Sequence, residues 1–239
     1  KEVENSDFGD TGDKNVIGAY GDFELIKNHT TQAFLIWQRT EPTSELSRFT
    51  AGFYARGKIN NFFHETEFAY QGGEISNIDV SAYMAALNIG YTFAGQKIAP
   101  TVAVGIDYLS GDDDLSDDTF KTFNTLYATN HKYYGFMDYF INIPVHTQKA
   151  GLQDIITTVS VALLKNLHAK LDYHLFSTAQ EVFGETAIGM ELDLTVTYGF
   201  RKGIKLVGGY SSFTPDKVFE NWKGSAPASW AYLMTIFNF

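Results

Sequence analysis

The feature that most constrains this chain is a hydrophobic alternation of period two, repeated in stretches of about ten residues, the length of a tilted strand crossing a bilayer. Phe49, Ala51, Phe53 and Ala55 share one face, while Arg48, Thr50, Tyr54 and Arg56 take the other. Tyr83, Ala85, Leu87, Ile89, Tyr91 and Phe93 alternate with Met84, Ala86, Asn88, Gly90 and Thr92. Val102, Val104, Ile106 and Tyr108 oppose Thr101, Ala103, Gly105 and Asp107, and Ile188, Met190, Leu192, Leu194, Val196 and Tyr198 oppose Gly189, Glu191, Asp193, Thr195 and Thr197. Similar stretches cover 15–27, 31–41, 61–71, 152–164, 168–178, 202–212 and 229–239, about eleven strands in all. No helical periodicity competes over comparable length.

Alternation alone also fits a soluble β-sandwich. Three further features favour a membrane barrel. The apolar faces often end in rings, as in Tyr91 with Phe93, Tyr198 with Phe200, Phe68 with Tyr70, and Tyr108. Rings at strand ends suit the headgroup level. The sequence closes on Thr235-Ile236-Phe237-Asn238-Phe239, which is similar to the terminal signal read by the outer-membrane assembly machinery. The connections also sort by length. Short ones are expected at 27–30, 57–60, 95–97, 165–167 and 201–203, and longer ones at 41–47, 71–79, 110–151, 178–185 and 213–228. Short periplasmic turns and longer external loops belong to such barrels.

The expected fold is therefore all-β, a transmembrane antiparallel up-and-down barrel, with 1–239 as one domain and 110–151 as an extracellular or pore-constricting loop. With Phe239 on the periplasmic side, counting back places the start of strand 15–27 outside the cell and makes 1–14 an external loop. Bacterial single-chain barrels have even strand numbers. An odd number of strands is thus expected upstream, making this the C-terminal part of a larger barrel. The polar opening Lys1-Glu2-Val3-Glu4-Asn5 carries neither an initiator Met nor a visible signal peptide.

Composition narrows the function. A formal net charge of −10 argues against a nucleic-acid partner. The absence of Cys excludes a disulfide framework, a thiolate metal site and a Cys nucleophile. No apolar run is long enough for a membrane helix. The six His are His29, His64, His131, His146, His168 and His174; His174 and Ser177 fall on opposite faces. There is no GxSxG elbow, HExxH or P-loop. No enzyme activity and no cofactor are expected.

The segment after 98–110 is distinctive. It reads Asp107-Tyr108-Leu109-Ser110-Gly111-Asp112-Asp113, then Phe123-Asn124-Thr125-Leu126-Tyr127-Ala128-Thr129-Asn130-His131-Lys132-Tyr133-Tyr134-Gly135-Phe136-Met137-Asp138-Tyr139-Phe140, with Gly151-Leu152-Gln153-Asp154 entering the next strand. This resembles the alginate export family of bacterial outer-membrane β-barrel proteins. The resemblance implies a monomeric channel passing polysaccharide or another hydrophilic solute across the outer membrane, amid lipid and lipopolysaccharide. A plugged structural barrel within an envelope complex is the alternative. The resemblance also implies an Arg-rich lumen that guides a polyanion. This sequence departs from that pattern: Arg48, Arg56, Lys58, Lys170 and Lys205 on lumen positions face Asp22, Glu24, Glu65, Glu67, Asp107, Asp154, Asp172, Glu191 and Asp193. A net-negative wall repels uronate polymers.

The candidate pore-lining residues are thus Arg48, Arg56, Glu65, Glu67, Asp107, Asp154, Lys170, Asp172, His174, Glu191, Asp193 and Lys205. They either select solutes or neutralise one another and stiffen the interior. In the long loop, Tyr127, Asn130, His131, Lys132, Tyr133 and Asp138 offer stacking, amide and charged groups suited to a sugar; the segment equally suits a plug without a ligand. Asp112, Asp113 and Asp114 are weak Ca²⁺ candidates that lack EF-hand spacing and read more simply as a solvated loop.

Overall fold

A computed structural model describes residues 13–41 and 45–238. The expected external loop at 1–14 therefore lies largely outside the described residues, as do residues 42–44 of the 41–47 connection and Phe239. In chain order the elements are β1 (Asp13–Phe23), β2 (His29–Glu41), β3 (Leu46–Ile59), β4 (Phe62–Ile75), β5 (Ile78–Thr92), β6 (Thr101–Leu109) and β7 (Thr119–Phe120). There follow α1 (Ile143–His146), β8 (Leu152–Leu164), β9 (Leu167–Val182), β10 (Glu185–Arg201), β11 (Ile204–Pro215), α2 (Lys217–Lys223) and β12 (Ala228–Phe237).

All the strands form one sheet. Its path runs β1-β2-β3-β4-β5-β6-β8-β9-β10-β11-β12, with the two-residue β7 added in parallel to β5. Every neighbouring pair on the path is antiparallel and sequential, an up-and-down wall. Among the described residues β1 pairs only with β2 and β12 only with β11.

The two faces of this wall differ as the alternation requires. Leu35, Phe53, Phe68, Ile89, Val104, Leu171, Leu192 and Tyr210 point to the outside and are exposed. So continuous an apolar surface is stable only against lipid or a partner, since burying it gains about 25 cal/mol per Å². Rings border this face at two levels. Tyr91 packs on Phe62 at 4.7 Å and on Phe93 at 4.8 Å near one end of the strands, while Tyr83 stacks on Tyr108 at 5.8 Å nearer the other.

The loop-length expectation is corrected at two places. Segment 71–79 is not a long loop: β4 and β5 continue to a tight hairpin in which Ser76 (φ 52°) and Asn77 (φ 67°) are left-handed. Segment 178–185 likewise closes on Phe183 (φ 56°) and Gly184 (φ 79°). Two central residues of positive φ match the twist of paired strands, so the ladders run on to the turn. The long excursions are 110–151, which joins β6 to β8, and the α2-bearing connection between β11 and β12.

Ile188 is also corrected. The alternation puts it beside Met190 on the outer face, but it is fully buried inside with Phe140 and Phe213. The β9–β10 register shifts between Ala187 and Gly189, and Gly189 takes φ 153°. A bulge of this kind inserts one residue and turns the side chains before it to the opposite face.

Candidate functional site

The inner face of the wall encloses the long connection itself. Residues 122–140 run across the interior and bond to wall residues from opposite parts of the sheet. On β2, Gln38 donates through Nε2 to the Tyr127 hydroxyl at 3.0 Å. On β4, the fully buried Gln71 donates to the Asn124 carbonyl at 2.8 Å and accepts from the Asn124 amide at 3.0 Å. On β10, Asp193 accepts from the Phe136 amide at 3.3 Å and Glu191 from the Met137 amide at 2.8 Å. On β12, Trp230 meets the His131 ring edge-on at 6.4 Å. A single segment touching β2, β4, β10 and β12 requires the sheet to curve around it.

Apolar packing fixes the far end of the segment. Phe140 is buried against Phe176 at 4.7 Å, and Tyr139 lies 4.6 Å from Phe213 and 4.9 Å from Phe219 on α2. The return to β8 is tied by Asp112 N–H donating to the Lys149 carbonyl at 2.8 Å and by the Thr122 hydroxyl donating to the same carbonyl. Gly135 lies against the wall. With φ +81°, it would bring a Cβ within 2.6 Å of Glu191 Oε1, so a side chain there is strained and displaces the carboxylate.

A cavity of about 730 Å³ remains between this segment and the wall, lined among others by Arg56, Glu65, Glu67, Asp107, Lys132, Tyr133, Lys170, Asp172 and His174. These charged groups lie at corresponding levels on successive strands. Glu67 and Asp107 both face Ala86 of β5, Asp107 faces Asp154, Asp172 faces Asp193, and His174 faces Glu191. The result is a belt of carboxylates from β4 to β10. His174 sits within it, its Nδ1 2.7 Å from Asp154 Oδ2 and its Nε2 3.7 Å from Asp193 Oδ2. Lys170 pairs with Asp172 at 2.8 Å, and the Thr158 hydroxyl donates to the same carboxylate at 2.6 Å.

The other sequence candidates divide. Arg48 is 5% exposed and donates twice to Gln38 Oε1, at 3.1 and 2.9 Å, which orients that amide toward Tyr127. Lys205, on β11, is exposed and away from the cavity. Asn130 is buried and spends its amide on Thr125 at 3.0 Å and the Phe140 carbonyl at 2.9 Å. His131 and Asp138 pair at 2.7 Å, and the Lys132 ammonium lies 5.0 Å from the Tyr133 ring centre. Tyr127 and Tyr133 expose much of their rings. In the acidic run, Asp113 and Asp117 hold Lys121 at 2.5 and 2.9 Å, and Asp114 accepts from Ser116. These contacts hold the Asp113 and Asp114 carboxyls below the ordinary range and raise Lys121. No group of three or more metal-ligating side chains occurs among the described residues. Gln38, Gln71 and Gly135 were not singled out by sequence. Gln38 and Gln71 follow the inward parity of Arg48 and Glu67, the one available signal.

Comparison with known proteins settles the family. The family model described as alginate export matches residues 7–230. The chain belongs to the alginate export family. This membership, together with a wall apolar outside and polar inside, places it in the bacterial outer membrane as a β-barrel channel of the porin and export type. Among solved structures, this family member is similar to the NanC porin at 9% identity, covering 95% of this chain and 97% of that one, with a TM-score of 0.48. A mutant of the ferric enterobactin receptor from Pseudomonas aeruginosa matches at 8% identity and a TM-score of 0.48, covering 95% of this chain and 37% of that one. No curated protein matches.

Proposed function

We propose that this protein is a passive channel for hydrophilic solutes or polysaccharide, narrowed from within by the 110–151 segment. The observation that carries the reading is the segment's anchorage across the lumen, from Gln38 on β2 to Trp230 on β12, with a polar cavity left beside it. A water-filled interior lined by fixed charges lets solutes diffuse, and an inward loop sets the bore. The family description names alginate, and uronate polymers are one cargo to be tested. The protein acts by transport, in keeping with the family description of alginate export over residues 7–230.

The wall is completed by further strands. The support is that β1 and β12 each pair on one side only among the described residues. With eleven strands on an up-and-down path, β1 and β12 run in the same direction, so closing them on one another needs a parallel seam. Because the chain has no Cys, single Cys residues placed at Ala19 and Leu233 cross-link within one chain only across such a seam. The outer face meets lipid and lipopolysaccharide, and β12 is the strand offered to the assembly machinery.

Single-channel recording of the full protein in a planar bilayer tests the function. Steady current is expected, and it rises when 124–138 is replaced by a short Gly-Ser linker. A wild-type pore that stays closed, and opens only after this replacement, supports a plugged structural barrel instead.

A further inference from the structure

We infer that the cavity beside the long connection is a saccharide subsite, in which pyranose rings stack on aromatic side chains of both the wall and the connection. The inference rests on the channel reading and names the residues that contact a sugar chain in that same lumen.

On the wall side the rings come from three successive strands. Tyr20 on β1 is the register partner of Phe34 on β2, and Gln32, two residues along β2, is the partner of Tyr54 on β3. All four line the cavity. Two residues along a strand span about 7 Å, so the rings stand in two tiers with an amide at the second. Phe34 lies over Gly52, where a Cβ would meet its ring at 2.6 Å. The glycine lets that ring settle against the wall and keeps the space beside it open.

A second, independent observation comes from the connection. Its rings Phe123, Tyr134 and Phe140 are buried in the apolar core. Tyr133, next to Tyr134, is instead 48% exposed and lines the same cavity as the wall rings. Exposing an aromatic ring to water inside a folded lumen costs free energy that nothing in the packing recovers. A path for bare ions has no use for such rings. A pyranose has one, because it offers an apolar face of C–H groups edged by hydroxyls. The rings match that face, and the amides of Gln32 and Asn88, also at the cavity, offer donors and acceptors to the edge. The volume, about 730 Å³, lies in the range of small-ligand sites, about 300–1,000 Å³.

The test is block of the single-channel current of the full protein in a planar bilayer by an added alginate hexasaccharide. At about 1 M KCl charges are screened within about 3 Å, so block that persists there reports stacking and not ion pairing. Block is expected. Tyr54→Leu and Tyr133→Leu each raise the half-blocking concentration about three- to tenfold, while Tyr54→Phe and Tyr133→Phe keep it near the wild-type value. The two residues lie on separate elements, so one decides should a variant of the other fail to assemble. No block by the hexasaccharide, or block that leucine leaves unchanged or phenylalanine weakens as much as leucine, overturns the inference and leaves the channel intact. Absence of any current overturns the channel reading itself.

Discussion

Glu191 on β10 accepts the backbone amide of Met137 at 2.8 Å, although the two residues are 54 positions apart. That bond, with Asp193 on the Phe136 amide, holds the middle of the long connection against the inner wall. Carboxylates that accept backbone N–H groups make stronger bonds than neutral acceptors. They also hold a loop without demanding any particular loop side chain.

Gly135→Val tests this clamp. A Cβ there meets Glu191 Oε1 at 2.6 Å, and φ +81° disfavours a β-branched residue. The strain is about 1–3 kcal/mol. The expected outcome is a barrel that still assembles but whose 122–140 segment is cut faster by added protease. Unchanged cleavage rates would remove Gly135 from the clamp.

Gln71→Leu removes a two-way bond to Asn124 in a fully buried position. Leaving those backbone groups unpaired costs about 1–3 kcal/mol. Larger and noisier single-channel currents are expected, since the segment then leaves the lumen more often. Gln71→Glu keeps the acceptor but loses the donor, and falls between.

Ile89→Arg and Asn88→Arg separate the faces of β5. Ile89 is 54% exposed on the apolar side, whereas Asn88 lines the cavity. A charged residue facing lipid costs about 2–4 kcal/mol at mid-membrane, and a lumen substitution little. Heat-modifiable migration on gels should show poor assembly for Ile89→Arg alone. Equal assembly of both would contradict the lipid-facing side.

The acid response of the 112–121 segment follows from Asp113 and Asp114. Their contacts with Lys121 and Ser116 lower both carboxyls from the ordinary 3.8. A group depressed in the folded state contributes stability above its unfolded value and loses it as pH falls through the folded one. Amide exchange over 112–121 should therefore stay slow down to about pH 4 and quicken only below that. Both groups are open to solvent, so the effect stays local. Quickening near pH 6 would point to other groups.

Much of the wall was legible in the sequence. Phe53 and Arg56, or Ile106 and Asp107, fall on opposite faces by parity alone, because side chains on a strand alternate and only one face meets water. The same parity brought Asp154, Asp172, His174, Glu191 and Asp193 onto the inside, where their contacts are found. Parity failed at Ile188, where a bulge beside Gly189 adds a residue without any change in hydrophobic pattern. The sequence also read 71–79 and 178–185 as longer loops where tight turns close at 76–77 and 183–184, since polar strand ends read like loops.

By itself, then, the sequence determined the strands, their lipid and lumen faces and the acidic character of the interior. All of these depend on neighbours one or two residues away. Only the tertiary structure decided that 122–140 lies inside the lumen, and which carboxylates hold it. Those bonds join residues more than fifty positions apart through backbone amides, whose presence is common to every non-proline residue and leaves no mark on the sequence.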